Sequence, residues 1–276
     1  MAKPIIVNDA SFTYPDGTVA LTSINYVVNE REFIAFIGQN GSGKTTFAKL
    51  ISGLLKPTKG SVTIFGKDNK EMKSRELSSL VGYVFQNPDH QLFNMTVYDE
   101  IAFGPRNLQL DEGEVKERVY EAAEVAGLNP KLFDESPFFL PKGLRQRCAI
   151  ASILAMRPKI IIIDEPTTGQ DWQQSIQIME FLKELNRKDH VIIIITHEME
   201  IVAEYAKRTT VFHNGEILMD GVTRDVLYNY DLLKSVNILP PFIPQSLHEY
   251  KRIMGTKPLT INEFLELYKS IAKVKV

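Results

Sequence analysis

The sequence predicts an α/β protein whose parallel sheet carries an antiparallel β subdomain and an inserted helical subdomain. Three short apolar runs, at residues 33–37, 160–163 and 191–195, are rich in Ile, Val and Phe and lie between helical patterns. Strands buried on both faces of a parallel sheet have this near-continuous apolar character. From residue 87 to about residue 156 strand signals stop and helical periodicity dominates, so this stretch is predicted to be the helical subdomain.

The segments around the first apolar run predict the β subdomain and the first helix. Residues 5–14 and 20–28 alternate between apolar and polar side chains, with Pro15, Asp16 and Gly17 between them. This pattern favours an antiparallel hairpin closed by a turn. The helix after the apolar run is predicted from apolar residues at helical spacing, namely Phe47, Leu50, Ile51, Leu54 and Leu55.

The C-terminal part is predicted to be separate from the main domain. The compact pattern is expected to end near residue 230, so that residues 231–276 form a linker and a helical tail. The linker is marked by Pro240, Pro241 and Pro244. Thr260 and Glu263 have the spacing of a capping box ahead of an apolar helical face. The residues of that face are Phe264, Leu265, Tyr268 and Ile271.

Composition excludes several classes of protein. Of the 276 residues, 44% are hydrophobic and 24% are charged, as in ordinary globular proteins. The formal net charge of -2 gives no general attraction to nucleic acid or anionic lipid. The apolar runs are much shorter than the roughly 20 residues of a membrane span, and the first residues do not resemble a secretory signal. Cys148, the single cysteine, is expected to be a small buried residue on a helix in a reducing, cytosolic compartment.

The strongest motif lies between the first predicted parallel strand and the following helix. Residues 38–45 read GQNGSGKT and match the phosphate-binding pattern G-x-x-x-x-G-K-[ST], whereas an incidental glycine-rich turn would not need these flanking elements. The glycines allow backbone N–H groups to surround phosphate oxygens at a helix N-terminus. Lys44 is expected to reach the β- and γ-phosphates, and the Thr45 hydroxyl to ligate Mg²⁺. The expected nucleotide-binding residues here are Gly38, Asn40, Gly41, Ser42, Gly43, Lys44, Thr45 and Thr46.

Carboxylates follow the second apolar run, at the strand end where ligands bind in open α/β sheets. Asp164 suits an Mg²⁺ site, and Glu165 suits polarising an attacking water. An Asp-Glu pair alone is usually a solvated loop, but with the phosphate loop upstream it predicts a hydrolysis site. The third run is followed by Thr196 and His197, and His197 is expected to contact the γ-phosphate at the same edge.

These motifs occur in the order found in ABC-transporter ATPases, which the chain resembles from about residue 5 to residue 228. The matching features are Tyr14 in SFTYPDG, the phosphate loop, Gln86 in YVFQNPDHQLF, Asp164 with Glu165, Asp171 in TTGQD, and His197 in IITHE. Residues 84–107, VFQNPDHQLFNMTVYDEIAFGPRN, are similar to the ATPases of energy-coupling-factor (ECF) importers of vitamins or of cobalt and nickel ions. The resemblance implies a P-loop NTPase (RecA-like) core that binds ATP and Mg²⁺.

The resemblance also implies roles for individual residues. Tyr14 would stack on adenine, unless it is only a core aromatic of the strand. Gln86 would sense the γ-phosphate and share the Mg²⁺ with Thr45 and Asp164, unless it is only a loop amide. Asp171 would organise a contact across a dimer interface. The segment after Gln86 would meet coupling helices of a membrane subunit, although several of its apolar residues are also expected in the helical core: Phe93, Met95, Val97, Tyr98 and Ile101.

One stretch departs from the family. The family signature LSGGQ acts on the nucleotide held by the opposite subunit, and here residues 140–144 read LPKGL before a well-matched RQRCAIA. Pro141 has neither the hydroxyl nor the N–H of serine, although proline is tolerated in the first turn of a helix. Lys142 either places a positive charge beside the phosphate of that nucleotide or blocks the close approach of the helix start to it.

Two assemblies are consistent with this departure. In the first, the chain pairs with a different ATPase whose signature is intact; in the second, it forms a homodimer in which Lys142 compensates. The predicted tail helix either holds the dimer together or packs on its own domain. Further expected partners are an integral membrane subunit and a substrate-capture protein, at the cytoplasmic face of the cell membrane. Because that separate protein captures the solute, the sequence of the ATPase does not specify it.

Other functions are less consistent with the residues. An ordinary ABC importer ATPase differs only in its membrane partner, and the similarity of residues 84–107 argues against it. A non-transport ABC protein acting on DNA or ribosomes would have two nucleotide modules or long insertions, and the neutral charge disfavours nucleic acid. A regulator without turnover would not need Glu165 and His197.

Overall fold

The computed structural model describes residues 3–248 and 256–273, with side chains described to residue 270. Its strands, in chain order, are β1 (Ile5–Thr13), β2 (Val19–Val28), β3 (Phe33–Gly38), β4 (Lys59–Ile64), β5 (Lys67–Asp68), β6 (Val81–Val84), β7 (Ile160–Asp164), β8 (Val191–Ile195), β9 (Arg208–His213) and β10 (Glu216–Val222). Its helices are α1 (Lys44–Ile51), α2 (Ser74–Leu80), α3 (Val97–Asn107), α4 (Glu112–Val125), α5 (Lys142–Leu154), α6 (Trp172–Arg187), α7 (Met199–Tyr205), α8 (Thr223–Leu227), α9 (Tyr230–Ser235), α10 (Phe242–His248) and α11 (Ile261–Lys273). None of these described helices is long and apolar enough to cross a membrane.

The central sheet has six strands in the order β10-β9-β3-β8-β7-β6. All neighbouring pairs except β9 with β10 are parallel. The three predicted buried strands are therefore confirmed as β3, β7 and β8. Alternate residues of these strands enter two hydrophobic cores, one on each face of the sheet. Burial on both faces explains why each strand is apolar throughout.

The second sheet is antiparallel, in the order β2-β1-β4-β5. The predicted hairpin is confirmed, since β1 pairs with β2 and the Gly17 N–H donates to the Tyr14 carbonyl across the turn at 2.9 Å. The core between this sheet and the central one contains a group of aromatic rings with centroids 5.2–5.9 Å apart: Tyr26, Phe36, Phe47 and Phe212. Helix α1 packs in this core and is held at a fixed position relative to both sheets.

The predicted helical subdomain lies between β6 and β7, where α3, α4 and α5 pack against one another. Val97 and Ile101 are fully buried and Tyr98 is half-buried, so these residues belong to the helical core as expected. Phe93 and Met95 have exposed fractions of 56% and 79% and lie on the surface. Cys148 is buried within α5, and this burial raises the pKa of its thiol to about 12.

The first helix is shorter than predicted. The apolar stripe was expected to reach Leu55, but α1 ends at Ile51. Gly53 follows with a φ of 78°, a left-handed conformation that glycine adopts readily and that ends helices. As a result Leu54 is 52% exposed, while Leu55 packs against the core from outside the helix.

The expected linker after residue 230 is wrong, because the chain there folds onto the main domain. Helix α9 and the turn after it bury three apolar side chains in the core, those of Leu233, Val236 and Ile238. The three prolines of the expected linker are buried as well, and Pro244 lies inside α10. The prolines in this segment therefore do not indicate an exposed linker between two domains.

The tail helix α11 begins where the capping-box spacing predicts. The Thr260 hydroxyl accepts a hydrogen bond from the Glu263 N–H at 3.3 Å. The Glu263 carboxylate reaches the Leu259 N–H at 2.8 Å and forms a two-pronged ion pair with Arg224, with both contacts at 2.9 Å. The helix start is thus anchored to its own domain. Leu265 and Tyr268 remain 44% and 60% exposed, and the side chain of Ile271 lies outside the described residues.

Candidate functional site

The phosphate loop connects β3 to α1, and its glycines are required by space as well as by backbone conformation. Gly43 is the residue before the helix and has a φ of 106°. A Cβ atom on Gly43 would lie 2.9 Å from the Leu21 side chain and 3.0 Å from the Ala20 carbonyl of β2. On Gly38 a Cβ would lie 2.4 Å from the Phe212 carbonyl of β9. The loop therefore fits closely between the two sheets only without side chains at these positions.

The Lys44 side chain lies along the loop rather than pointing to solvent. Its Nζ donates to the carbonyls of Gly38 at 2.7 Å and Gln39 at 2.8 Å. Burial lowers the pKa of Lys44, and the nearby carboxylates of Glu165 and Asp164 oppose that shift. The two hydrogen bonds thus hold the ammonium inside the curve of the loop.

Asp164 lies at the C-terminal end of β7, opposite the phosphate loop. Its Oδ2 accepts hydrogen bonds from the Thr45 hydroxyl at 2.9 Å and from the Tyr83 hydroxyl at 3.1 Å. Burial raises the pKa of Asp164, while the two donors counteract this effect. Sequence reasoning missed Tyr83, because only the register of β6 beside β7 brings its hydroxyl to Asp164.

Glu165 is the next residue and has a left-handed φ of 55°. Its N–H donates to the Ile195 carbonyl at 2.8 Å, which holds this turn against the end of β8. Its Oε1 lies 2.9 Å from Nδ1 of His197. Burial raises the pKa of the Glu165 carboxyl, and the bond to His197 opposes the shift. The Glu165 side chain is 10% exposed and that of His197 is 74% exposed, so His197 covers the carboxylate from the solvent side.

A cavity of about 290 Å³ joins most of the predicted site residues. Its lining comprises Tyr14, Thr18, Val19, Ala20, Asn40, Gly41, Gly43, Lys44, Thr45, Thr46, Gln86, Asp164, Glu165 and Ile195. Tyr14 belongs to this lining, and its hydroxyl is 3.0 Å from the Thr46 hydroxyl. His197 is not among these lining residues, but it contacts Glu165, which is. Asp171 lies outside it and caps α6, where its carboxylate accepts the Gln174 N–H at 2.8 Å.

The oxygen atoms in this cavity fit Mg²⁺ held together with phosphates. Thr45 and Asp164 are in contact, and Gln86, whose side chain is exposed, lines the same space. Magnesium prefers oxygen ligands and usually combines one or two protein groups with waters and substrate phosphates. In the described part of the chain there is no group of three or more His, Cys, Asp or Glu residues able to hold a metal by themselves. The hydroxyl, carboxylate and amide oxygens of Thr45, Asp164 and Gln86 are donors of the kind that Mg²⁺ takes together with phosphates.

The altered signature lies at the start of α5, against the loop that leads to Asp171. Pro141 precedes the helix, and its carbonyl accepts the N–H groups of Leu144 and Arg145 at 2.9 and 3.0 Å. Pro141 therefore lies immediately before α5 and not within its first turn. The end of the Lys142 side chain lies 3.1–3.2 Å from where a Cβ of Gly169 would be. The exposed Lys142 side chain, which stands where the family signature has a glycine, thus lies over Gly169 of the neighbouring loop.

The segment after Gln86 is tied to the helix that carries this signature. The Gln91 side chain accepts the Phe85 N–H at 3.3 Å and donates to the Ala149 carbonyl of α5 at 2.8 Å. Asp89 pairs with Arg145 at 2.9 Å, and Arg145 also donates to the Leu140 carbonyl at 2.8 Å. Movement of this segment would therefore also move the start of α5.

The same segment borders a groove of about 530 Å³ between α2, α3 and α5. The rings of Phe93 and Phe103 pack edge to face at 4.7 Å and are 56% and 42% exposed. Beneath them the buried carboxylate of Glu100 accepts the N–H groups of Phe93 at 3.0 Å and Asn94 at 2.8 Å. The groove therefore presents apolar surface on a loop whose backbone is fixed.

Comparison with known proteins gives consistent matches. Residues 21–168 match the family model described as ABC transporter. The chain is 44% identical over 273 residues to the energy-coupling factor transporter ATP-binding protein EcfA2 of Caldanaerobacter subterraneus subsp. tengcongensis, covering 95% of this chain and 96% of that protein. It is 52% identical over 239 residues to a putative ABC transporter ATP-binding protein of the same organism; the match covers 87% of this chain and 42% of that protein's length.

Solved structures agree with these matches. The fold is similar to that of cbiO1 from Clostridium perfringens, described as part of the ABC transporter complex cbiONQ, with a TM-score of 0.74 and 33% identity over 91% of this chain and 100% of that chain. A dimeric ATP-binding cassette in a post-hydrolysis state, bound to ADP and Pi, aligns with a TM-score of 0.73 and 28% identity over 80% of this chain and 99% of that one. The predicted fold class and the predicted family resemblance are both confirmed.

Proposed function

Because the chain belongs to the ABC transporter ATP-binding family, we propose that it binds and hydrolyses Mg²⁺-ATP to power an ECF-type importer of a vitamin or a transition-metal ion. The single observation that carries this proposal is the cavity that brings Lys44, Thr45, Asp164 and Glu165 together at one end of the central sheet. The relatives named as energy-coupling factor ATP-binding proteins support the transporter type.

Nucleotide binding would begin at the phosphate loop. The loop N–H groups and Lys44 would take up the β- and γ-phosphates, and Tyr14, which lines the same cavity, would stack on the adenine. When bound, Mg²⁺ would neutralise charge that develops on the phosphates, with Thr45, Asp164 and Gln86 holding it. The oxygen character of these three side chains supports this assignment.

Hydrolysis would depend on Glu165. Its carboxylate would take a proton from a water as the water oxygen attacks the γ-phosphorus and the bond to the ADP oxygen breaks. A pKa raised by burial makes Glu165 a better proton acceptor than a solvent-exposed carboxylate. His197, 2.9 Å away, would orient Glu165 and reach the γ-phosphate from the open side.

The complete site would form between two ATPase subunits that close on two nucleotides, since the signature acts in trans. The similarity to a dimeric cassette supports this geometry. We favour pairing with an ATPase whose signature is intact, because Pro141 and Lys142 replace the residues that would contact the partner's nucleotide. A homodimer in which Lys142 compensates is the alternative.

Closure would be transmitted to the membrane through the groove beside Phe93 and Phe103. A coupling helix of an integral membrane subunit would occupy this groove, at the cytoplasmic face, and a separate protein would capture the solute. Gln86 would report the nucleotide state to the same segment, which Gln91 ties to α5. The relative described as part of the cbiONQ complex supports such an assembly.

Two variants of the full chain test the proposed activity. Lys44→Ala should lose ATP binding, whereas Glu165→Gln should keep ATP binding and lower kcat by about 100-fold or more. Glu180→Gln, on the exposed face of α6, is the matched control and should leave kcat unchanged. Hydrolysis by Glu165→Gln at the rate of the unaltered chain would exclude the proposed mechanism.

The assembly is tested by the solution mass of Glu165→Gln with and without Mg²⁺-ATP. An ATP-dependent dimer would show that the altered signature closes on nucleotide, and would remove the main support for a heterodimer. A monomer that still binds ATP would show that a partner is required.

A further inference from the structure

We propose that Tyr83 is a positioning residue that holds the Asp164 carboxylate in the orientation needed by the Mg²⁺ of the bound nucleotide. This inference rests on the proposed function, because it assigns a part in the Mg²⁺-ATP site to a residue outside the recognised motifs. Tyr83 would not touch the nucleotide. It would act through Asp164 alone.

The hydrogen bonds at Asp164 are distributed unevenly between its two oxygens. Both the Tyr83 hydroxyl, at 3.1 Å, and the Thr45 hydroxyl, at 2.9 Å, donate to Oδ2. No hydrogen bond from the described residues reaches Oδ1, while Asp164 lines the nucleotide cavity. Two donors on one oxygen fix the rotation of the carboxylate and leave the other oxygen for a ligand. If Thr45 turned toward a metal ion, Tyr83 would be the donor that remained.

The Tyr83 ring is held firmly enough to serve this role. It is 6% exposed, and its strand pairs in register with β7, where Tyr83 lies opposite Ile162. The ring also packs edge to face against Phe85 at 4.9 Å. A buried tyrosine hydroxyl usually has a hydrogen-bond partner, and here that partner is the candidate metal ligand. Neither the ring nor the carboxylate has much freedom to change this contact.

The position of Tyr83 in the chain adds a connection to the groove. The Tyr83 hydroxyl donates to Asp164, and Gln86 follows Tyr83 by three residues along the same segment. The Tyr83 side chain, which bonds Asp164, and the Gln86 side chain, which lines the cavity, are thus carried by β6 and the loop after it. Displacement of that segment by a membrane helix would change both together.

Tyr83→Phe removes the hydroxyl and keeps the ring, and Tyr26→Phe is its matched control. Tyr26 is 4% exposed in the same hydrophobic core, and its hydroxyl bonds Thr210 at 2.7 Å, away from the cavity. Binding of a fluorescent ATP analogue to the full chain is measured in EDTA and over a series of Mg²⁺ concentrations. This readout reports metal binding without requiring turnover.

Tyr83→Phe should bind the analogue in EDTA as the unaltered chain does. The Mg²⁺ concentration at half-maximal effect should rise about tenfold, as expected for the loss of a hydrogen bond to a charged group. Tyr26→Phe should leave this concentration unchanged. Tyr83→Met, whose flexible side chain fills irregular core space, should show the same rise and serves if the phenylalanine variant is unstable.

An unchanged Mg²⁺ midpoint in Tyr83→Phe, or an equal rise in Tyr26→Phe, would overturn the assignment to Tyr83. The proposed function would fail differently. In that case the unaltered chain itself would not bind the ATP analogue, or Mg²⁺ would have no effect on its binding.

Discussion

Lys142 distinguishes the two explanations of the altered signature, because they predict opposite effects of Lys142→Ala. The side chain is exposed at the first position of α5 and lies over Gly169. Among the described contacts it has neither an ion pair nor a hydrogen bond. Alanine also favours a helix, so the free energy of unfolding should change by less than about 0.5 kcal/mol. A change in turnover can therefore be attributed to the interface with the partner's nucleotide.

The magnitude follows from the contact that each explanation assumes. If the ammonium donates to the γ-phosphate held by the partner, the lost charge-assisted hydrogen bond is worth about 1.5–3 kcal/mol. Turnover should then fall by about 10- to 150-fold. If Lys142 blocks close approach, the same variant should raise turnover. The assay is steady-state ATP hydrolysis per complex at saturating Mg²⁺-ATP, with Lys131→Ala, another exposed lysine, as the control.

Restoring the signature residues completes this test. Pro141→Ser supplies a side-chain cap that α5 lacks and should raise the free energy of unfolding by about 1 kcal/mol. Lys142→Gly should lower the free energy of unfolding by about the same amount, because glycine has a poor helix propensity. The double variant should therefore melt close to the unaltered chain. If the native partner carries the intact signature, turnover per complex should rise about tenfold. Unchanged turnover in a folded double variant would refute the heterodimer hypothesis.

Three further predictions concern the rest of the molecule. Cys148 should resist alkylation by iodoacetamide at pH 8 in the folded chain and react after unfolding, because a thiol with a pKa of about 12 stays protonated. Rapid labelling of the folded chain would contradict the burial of this thiol. Arg208→Leu should lower the free energy of unfolding by about 2 kcal/mol and the melting temperature by about 5 °C, since the carboxylates of Glu32 and Asp220 lose their shared partner. An unchanged melting temperature would refute a stabilising role of these ion pairs. Truncation after residue 240 should weaken the dimer if α11 contributes to it, and unchanged dimer affinity in analytical ultracentrifugation would count against that role.

The parts of the fold that the sequence predicted are those in which local pattern and tertiary environment agree. The strands β3, β7 and β8 are apolar along their whole length because both of their faces are covered. The hairpin of β1 and β2 shows its alternation and its turn within a short stretch. The phosphate loop is contiguous, and the spacing of its glycines is tied to one backbone conformation.

The two errors have different causes, one local and one that depends on a contact distant in sequence. The apolar stripe after the phosphate loop continues to Leu55, but Gly53 ends the helix earlier. The prolines after residue 230 suggested a linker, yet Leu233 and Val236 find a hydrophobic surface on the main domain. Pattern alone shows that these residues are apolar and leaves open which surface they meet.

The candidate site likewise contains residues that the sequence predicts and a residue that only the structure reveals. Asp164 and Glu165 were expected together because they follow one buried strand, and the phosphate loop was expected opposite them because parallel strands end at one edge. Tyr83 belongs to the same constellation, but its sequence context is that of an ordinary aromatic on a buried strand. Its relation to Asp164 arises from the pairing of β6 with β7 and from the length of a tyrosine side chain. Residues that hold a catalytic group, rather than forming one, therefore have to be identified from the structure.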